Sequence, residues 1–224
     1  MKKIFLILAL TILFFNKGYA ASGEGAATEY IVQMEKLELC EDSACATSTT
    51  VGDSKMGVDI ASVSAGADIG SYAATTGLPL GTTFSHLRVT VSRTFTVTGS
   101  VTAGSTDCVT DGGTDSTATH LLDAGTGTAV STTMYLVDAA TYDASDGSTG
   151  GSDLPMSYSS PTYATSMTVS GDTAVMIYKL TSAYTVGMRA PTIKVIFNTN
   201  TALGADDTAC VMWLQEPYCE ITIN

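Results

Sequence analysis

Between Ser85 and Thr98 the chain alternates for about seven cycles. Leu87, Val89, Val91, Arg93, Phe95 and Val97 fall on one side of an extended backbone. His86, Arg88, Thr90, Ser92, Thr94, Thr96 and Thr98 fall on the other. A period of two sustained this long predicts a β-strand with one buried and one wet face. The strand is entered through Leu78-Pro79-Leu80-Gly81, where proline and glycine supply turn chemistry. Arg93 is the anomaly, because a charge in the dry phase is expensive unless paired. Two accounts fit it: a carboxylate partner, or a point where the strand leaves the core.

The other hydrophobic runs are short and turn-bounded, as if built to pack around this one. Glu29–Leu39 reads as a first strand, with a phase slip at Glu35-Lys36 that predicts a bulge. Met56–Val63, Val130–Val137, Met167–Val169, Ala174–Leu180, Thr192–Phe197, Cys210–Leu214 and Tyr218–Ile223 continue the pattern. About nine strands with almost no helical periodicity predict an all-β chain, an antiparallel β-sandwich of prealbumin-like or immunoglobulin-like layout. Residues 21–28 read as a flexible N-terminal arm, and 29–224 as one domain with long polar loops at 100–127 and 138–165.

The N-terminus carries an address. Lys2 and Lys3 precede an apolar run from Ile4 to Phe15, and Gly18-Tyr19-Ala20 offers small residues to a signal peptidase. This predicts a secretory signal peptide over residues 1–20, cleaved after Ala20. The run is short of the about 20 residues a membrane span needs, and no later segment is apolar enough to cross a bilayer. Three of the ten basic residues leave with the signal and all 22 acidic ones stay, so the mature formal charge is −15. Such a balance speaks against nucleic acid or anionic membrane as a partner, since both reward a basic surface. The expected location is the periplasm, cell surface or extracellular space.

Export to an oxidising compartment makes cysteine pairing the expectation. Five cysteines survive cleavage and allow 15 pairings that leave one over. Cys40 and Cys45 bracket the polar loop Glu41–Ala44. Cys108 and Cys210 each sit in an Asp/Thr-rich loop beside a strand. Cys219 alternates in phase with Ile221 and Ile223 and should face the core. The pattern favours Cys40–Cys45 and Cys108–Cys210, with Cys219 a buried free thiol.

No catalytic constellation is legible. The two histidines are His86, on the predicted wet face, and His120, near Asp115 and Asp123; a nucleophile elbow is absent. The chain therefore reads as a non-enzyme. Asp107, Asp111 and Asp115, spaced by four around Gly112-Gly113, are the candidate metal ligands, and calcium is the one cofactor their chemistry suits. The EF-hand frame fails at Val109 and Ala118, which leaves a looser loop drawing on Asp143, Asp146 and Asp153. Tyr135, Tyr142, Tyr158, Tyr163 and Trp213 could stack on a glycan. The arm before Glu29 and the terminal strand Cys219–Ile223 could add to a neighbour's sheet edge.

One block carries a likeness. A strand ending Leu37-Glu38-Leu39-Cys40, a short Val58-Asp59-Ile60 strand, and Pro79, Gly81, Phe84, Leu87, Arg88 and Val91 around the long strand resemble uncharacterised exported bacterial domains with a prealbumin-like (transthyretin-like) sandwich. The whole chain also resembles secreted proteins of unknown function from small-genome marine alphaproteobacteria. The resemblance implies a surface or carbohydrate-associated module. Together these readings predict a secreted structural or interaction protein, with itself or a surface glycan as partner and self-assembly as one route. The alternative is a calcium- or carbohydrate-binding module.

Overall fold

The structure, a computed structural model, describes residues 22–62, 67–68, 75–113, 122–123, 127–136, 164–207 and 210–224. The segment read as a signal peptide lies outside them. In chain order the first strands are β1 (Ser22–Gly25), β2 (Ala27–Cys40), β3 (Ser48–Gly52), β4 (Met56–Asp59) and β5 (Ala67–Asp68). Next come β6 (Thr83–Ser92), β7 (Thr94–Ala103), β8 (Thr106–Val109), β9 (Leu122–Asp123) and β10 (Thr132–Tyr135). The last are β11 (Ala164–Ser170), β12 (Thr173–Thr185), β13 (Ile193–Asn198), β14 (Leu203–Asp206), β15 (Val211–Leu214) and β16 (Tyr218–Ile223). The chain is all-β, and every strand pair is antiparallel. Among the described residues no helix is long and apolar enough to cross a membrane.

The long alternating stretch becomes β6 and β7, interrupted only at Arg93. Both run along one side of β2: Cys40 lies opposite His86, Met34 opposite Val91, and Ile31 opposite Thr96. The pairing shifts by one residue between Met34 and Lys36, so Glu35 is the extra residue of a bulge. On its other side β2 carries β3 and β4. Beyond the long strand lie β12, then β11, beside β6, and β10 beside β7. Two smaller sheets, β1–β14–β15–β9 and β16–β13–β5, cover this large one. β1 and β14 pack on β7, and β16 packs on β12, so the layers form a sandwich. Leu37, Leu39, Phe84, Val91, Val97, Ile193 and Ile221 are fully buried between them, and Tyr30 meets Phe95 edge-on at 5.6 Å.

The N-terminal arm is corrected. Ser22–Gly25 is a strand paired with β14, and Ala27 already belongs to β2. Its small residues are there for close packing: a Cβ on Gly23 or Gly25 would run into the carbonyl oxygen of Thr102 or Ser100 on β7. Backbone rests on backbone, which only glycine permits. The polar loop expected at 100–127 is corrected in its first part. β7 continues to Ala103, with Val101 and Ala103 buried, and turns at Gly104 (φ 57°) into β8. Most of the loop at 138–165 lies outside the described residues, although Ala164 and Thr165 already open β11.

The face of the long strand expected to be wet is half covered. His86 is buried, not a surface residue, and its imidazole Nδ1 meets the Ser85 hydroxyl at 2.8 Å. Arg88 grips Glu38 through Nε and Nη2, at 2.7 and 2.8 Å. Lys36 adds a third contact to the same carboxylate at 2.8 Å, and Ser48 donates to it. These partners hold the Glu38 carboxyl down at about 2 against its burial, Arg88 contributing most. Arg88→Ala should cost about 2 kcal/mol, below the roughly 3–5 of a fully buried pair because Arg88 remains partly exposed. Urea unfolding reads this directly, and adding Glu38→Gln should recover part of the loss. An unchanged midpoint would mean that Lys36 alone suffices.

Arg93 resolves as a strand interruption, but a buried one. Its backbone leaves the ladder, with its N–H donating to Asp172 and its carbonyl accepting from Leu136 N–H. The guanidinium donates to the carbonyls of Leu136 (2.8 Å) and Gly171 (3.0 Å) and lies over the Tyr135 ring at 4.5 Å. Carbonyl dipoles and a π face stand where the other account would have put a carboxylate.

Candidate functional site: an acid-bearing cavity between the sheets

The link between β15 and β16 is Gln215-Glu216-Pro217, which carries the chain from one covering sheet to the other. Pro217 has no N–H to satisfy there. Gln215 N–H donates to Ala202 O at 2.9 Å, and the Tyr30 hydroxyl donates to Gln215 O at 3.1 Å. So fixed, the link borders a cavity of about 100 Å³. Its base is the dry face of β2 and β6, with Tyr30, Met34, Leu87, Val89 and Val91. Val195 and Phe197 of β13 and Cys219 and Ile221 of β16 form the roof. Met167 of β11 and Met176 and Tyr178 of β12 close one side.

Among the described residues, Glu216 is the one carboxyl on this apolar lining. Its Oε1 accepts the Ala164 backbone N–H at 2.6 Å. Its Oε2 is buried and has no hydrogen-bond partner among the described residues. Burial pushes the carboxyl up to about 7, while the Ala164 amide and the Tyr178 hydroxyl pull it back. Tyr30, Tyr178 and Cys219 are likewise pushed up, first by burial and then by the charge of Glu216. None of these four shifts traces to a basic side chain. The cavity thus offers apolar walls and one polar spot, the Glu216 carboxyl beside the two tyrosines. The Cys219 thiol is held protonated, which makes it a poor nucleophile.

Of the disulfide, metal and glycan candidates singled out in the sequence, none lines the cavity among the described residues, whereas the free Cys219 does. Cys40–Cys45 and Cys108–Cys210 are bonded, and Cys219 is free and buried. Cys45 and Cys210 both take left-handed backbone, at φ 49° and 51°, unusual for a residue other than glycine. Asp107 accepts from the Thr102 hydroxyl at 2.7 Å, and Asp111 accepts from Gly113 N–H at 3.0 Å. Both contacts are local turn chemistry. Asp115, Asp143, Asp146 and Asp153 lie outside the described residues, as do His120, Tyr142, Tyr158 and Tyr163. Among the described residues no three His, Cys, Asp or Glu side chains converge as a metal site would require. Tyr135 serves Arg93, and Trp213 lies against the backbone of Gly204, where a Cβ would collide with the indole. Both segments offered for strand addition are paired within the chain, β1 with β14 and β16 with β13.

Glu216 escaped sequence reading because its role depends on long-range neighbours. The local signal was an acid followed by proline in a break between two apolar strands, Leu214 and Tyr218 being their ends. Comparison with family models, curated proteins and solved structures returns no match. The all-β fold therefore rests on the sequence pattern and the structure, without a relative beside them.

Proposed function

We propose that this chain is an exported, non-enzymatic binding protein of the periplasm or cell surface, and that it holds a small apolar molecule in the cavity between its sheets. The observation that supports this most is Glu216 Oε2, buried beside an apolar void without a hydrogen-bond partner among the described residues. An acceptor stranded in a low-dielectric interior costs free energy that a ligand's donor would offset. Binding sites of this kind are concave, largely apolar and equipped with few polar groups. The two disulfides fit an oxidising compartment and support export.

A cavity of about 100 Å³ suits a molecule of roughly five heavy atoms, given that an engineered void of about 150 Å³ accepts benzene. Methionines at the wall can adjust to shape. Titration of the protein with n-butanol, followed through the methyl resonances of Met34, Met167 and Met176, tests the reading. Saturable shifts at these three methyls are expected, and Val89→Phe, which fills the void, should abolish them. Unmoved resonances in the parent protein would remove the proposal.

A further inference from the structure

The geometry points to the ligand's chemistry: we infer that the cavity takes a small apolar ammonium compound, its charged nitrogen seated on Glu216 Oε2 and its alkyl body against the β2 and β6 face. The inference rests on the binding reading above and narrows it to one class.

Three observations carry it. First, the unpartnered atom is an acceptor. Glu216 Oε2 can only receive a hydrogen bond when ionised, and Oε1 is already engaged by Ala164. Second, the neighbouring polar groups also have acceptor capacity left. The Tyr30 hydroxyl spends its hydrogen on Gln215 O, and the Tyr178 hydroxyl, 3.5 Å from Met176 Sδ, spends its own there or on the Glu216 carboxyl it acts on. Their oxygen lone pairs remain for an incoming donor. An ammonium brings three donors, and these oxygens come from β2, β12 and the β15–β16 link. Third, the site holds negative potential with nothing described to balance it. Glu216 acts electrostatically on Tyr30, Tyr178 and Cys219, and Glu220 acts on Cys219 as well, whereas no basic side chain acts on any of them. Tyr30, Phe95 and Phe197 also line the cavity, and aromatic rings tolerate a cation near their faces. A neutral apolar molecule would leave Oε2 unsatisfied, and an anion would be repelled by it.

The test compares n-butylamine with n-butanol, which share an alkyl body, by calorimetric titration of the full chain after signal removal. The parent protein should bind the amine about tenfold more tightly than the alcohol. Glu216→Gln keeps an oxygen for Ala164 N–H but loses the charge, so it should bind both equally and retain the alcohol's affinity. Tyr178→Phe should weaken the amine selectively while leaving Glu216 in place. Equal affinity of the parent protein for amine and alcohol overturns the ammonium assignment and leaves the apolar cavity standing. Binding of neither compound overturns the cavity reading itself. An amine preference that survives in Glu216→Gln would place the cation elsewhere and also defeats the inference.

Discussion

Replacing Cys108 and Cys210 together by alanine should destabilise the protein by about 4–5 kcal/mol, the largest effect expected of any single cross-link here. The bond spans a sequence separation of 102 and joins the end of β8 to the residue before β15. It therefore ties a covering sheet to the hairpin of β7 and β8 and closes a long loop in the unfolded chain. Loop-closure entropy rises with the logarithm of length, so this bond contributes about twice the roughly 2 kcal/mol of Cys40–Cys45, whose separation is 5. For a domain of this size the loss should lower Tm by roughly 10–15 °C. Cys108 is fully buried and Cys210 nearly so, and the native bond should therefore resist mild reductant. Calorimetric melting of the two double variants checks the ranking. Equal effects of the long and short loops would show that chain entropy is not the governing term.

The second large effect is a pH dependence owned by Glu216. Its carboxyl sits at about 7 in the folded chain against an ordinary value of 4.5. The folded state thus binds the proton more tightly than the unfolded state does. Below pH 4.5 both states are protonated and this contribution to stability is fully present. As pH rises the unfolded chain releases the proton first, and the contribution is lost progressively until pH passes about 7. The total loss is up to about 3 kcal/mol. Two other groups slope the opposite way. Glu38, held down at about 2, contributes stability above its ordinary value that is lost as pH falls toward 2. His86, depressed by burial first and by Lys179 second, loses its contribution as pH falls below its ordinary range. Comparing the parent with Glu216→Gln cancels both. The variant should match the parent near pH 4.5 and exceed it by up to about 3 kcal/mol near pH 8, measured by urea unfolding. A difference that does not change with pH would mean that Glu216 titrates alike in the folded and unfolded chain.

The two effects differ in how they could be foreseen. The disulfide partners were readable because each cysteine's neighbourhood is local: a polar loop bracketed by Cys40 and Cys45, two Asp/Thr-rich loops, and an alternating strand that turns Cys219 inward. The long strand was readable for the same reason, and so were the Glu35 bulge and the span of β16. Side-chain period is set by the backbone of one strand, and the burial it implies needs only that some partner exist. The strands β1, β8 and β14 were not readable. Ser-Gly-Glu-Gly carries no apolar alternation because its glycines let backbones approach closely, and the glycine of Leu-Gly-Ala-Asp leaves room for the Trp213 indole.

The sequence by itself determined the β class, the strand faces and the cysteine pattern, since hydrophobic alternation and turn residues act within a few positions. The tertiary structure decided what those faces meet. It covered His86 and Arg88 on the side expected to be wet, and set Arg93 against carbonyls and a ring, with its Nη2 buried and without a hydrogen-bond partner among the described residues. It also set Glu216 beside Tyr30, Tyr178 and Cys219, residues from distant stretches whose mutual electrostatics exist only after the sheets close over them. Desolvation is a property of the packed assembly and not of any segment, and the chemistry of the cavity comes from it.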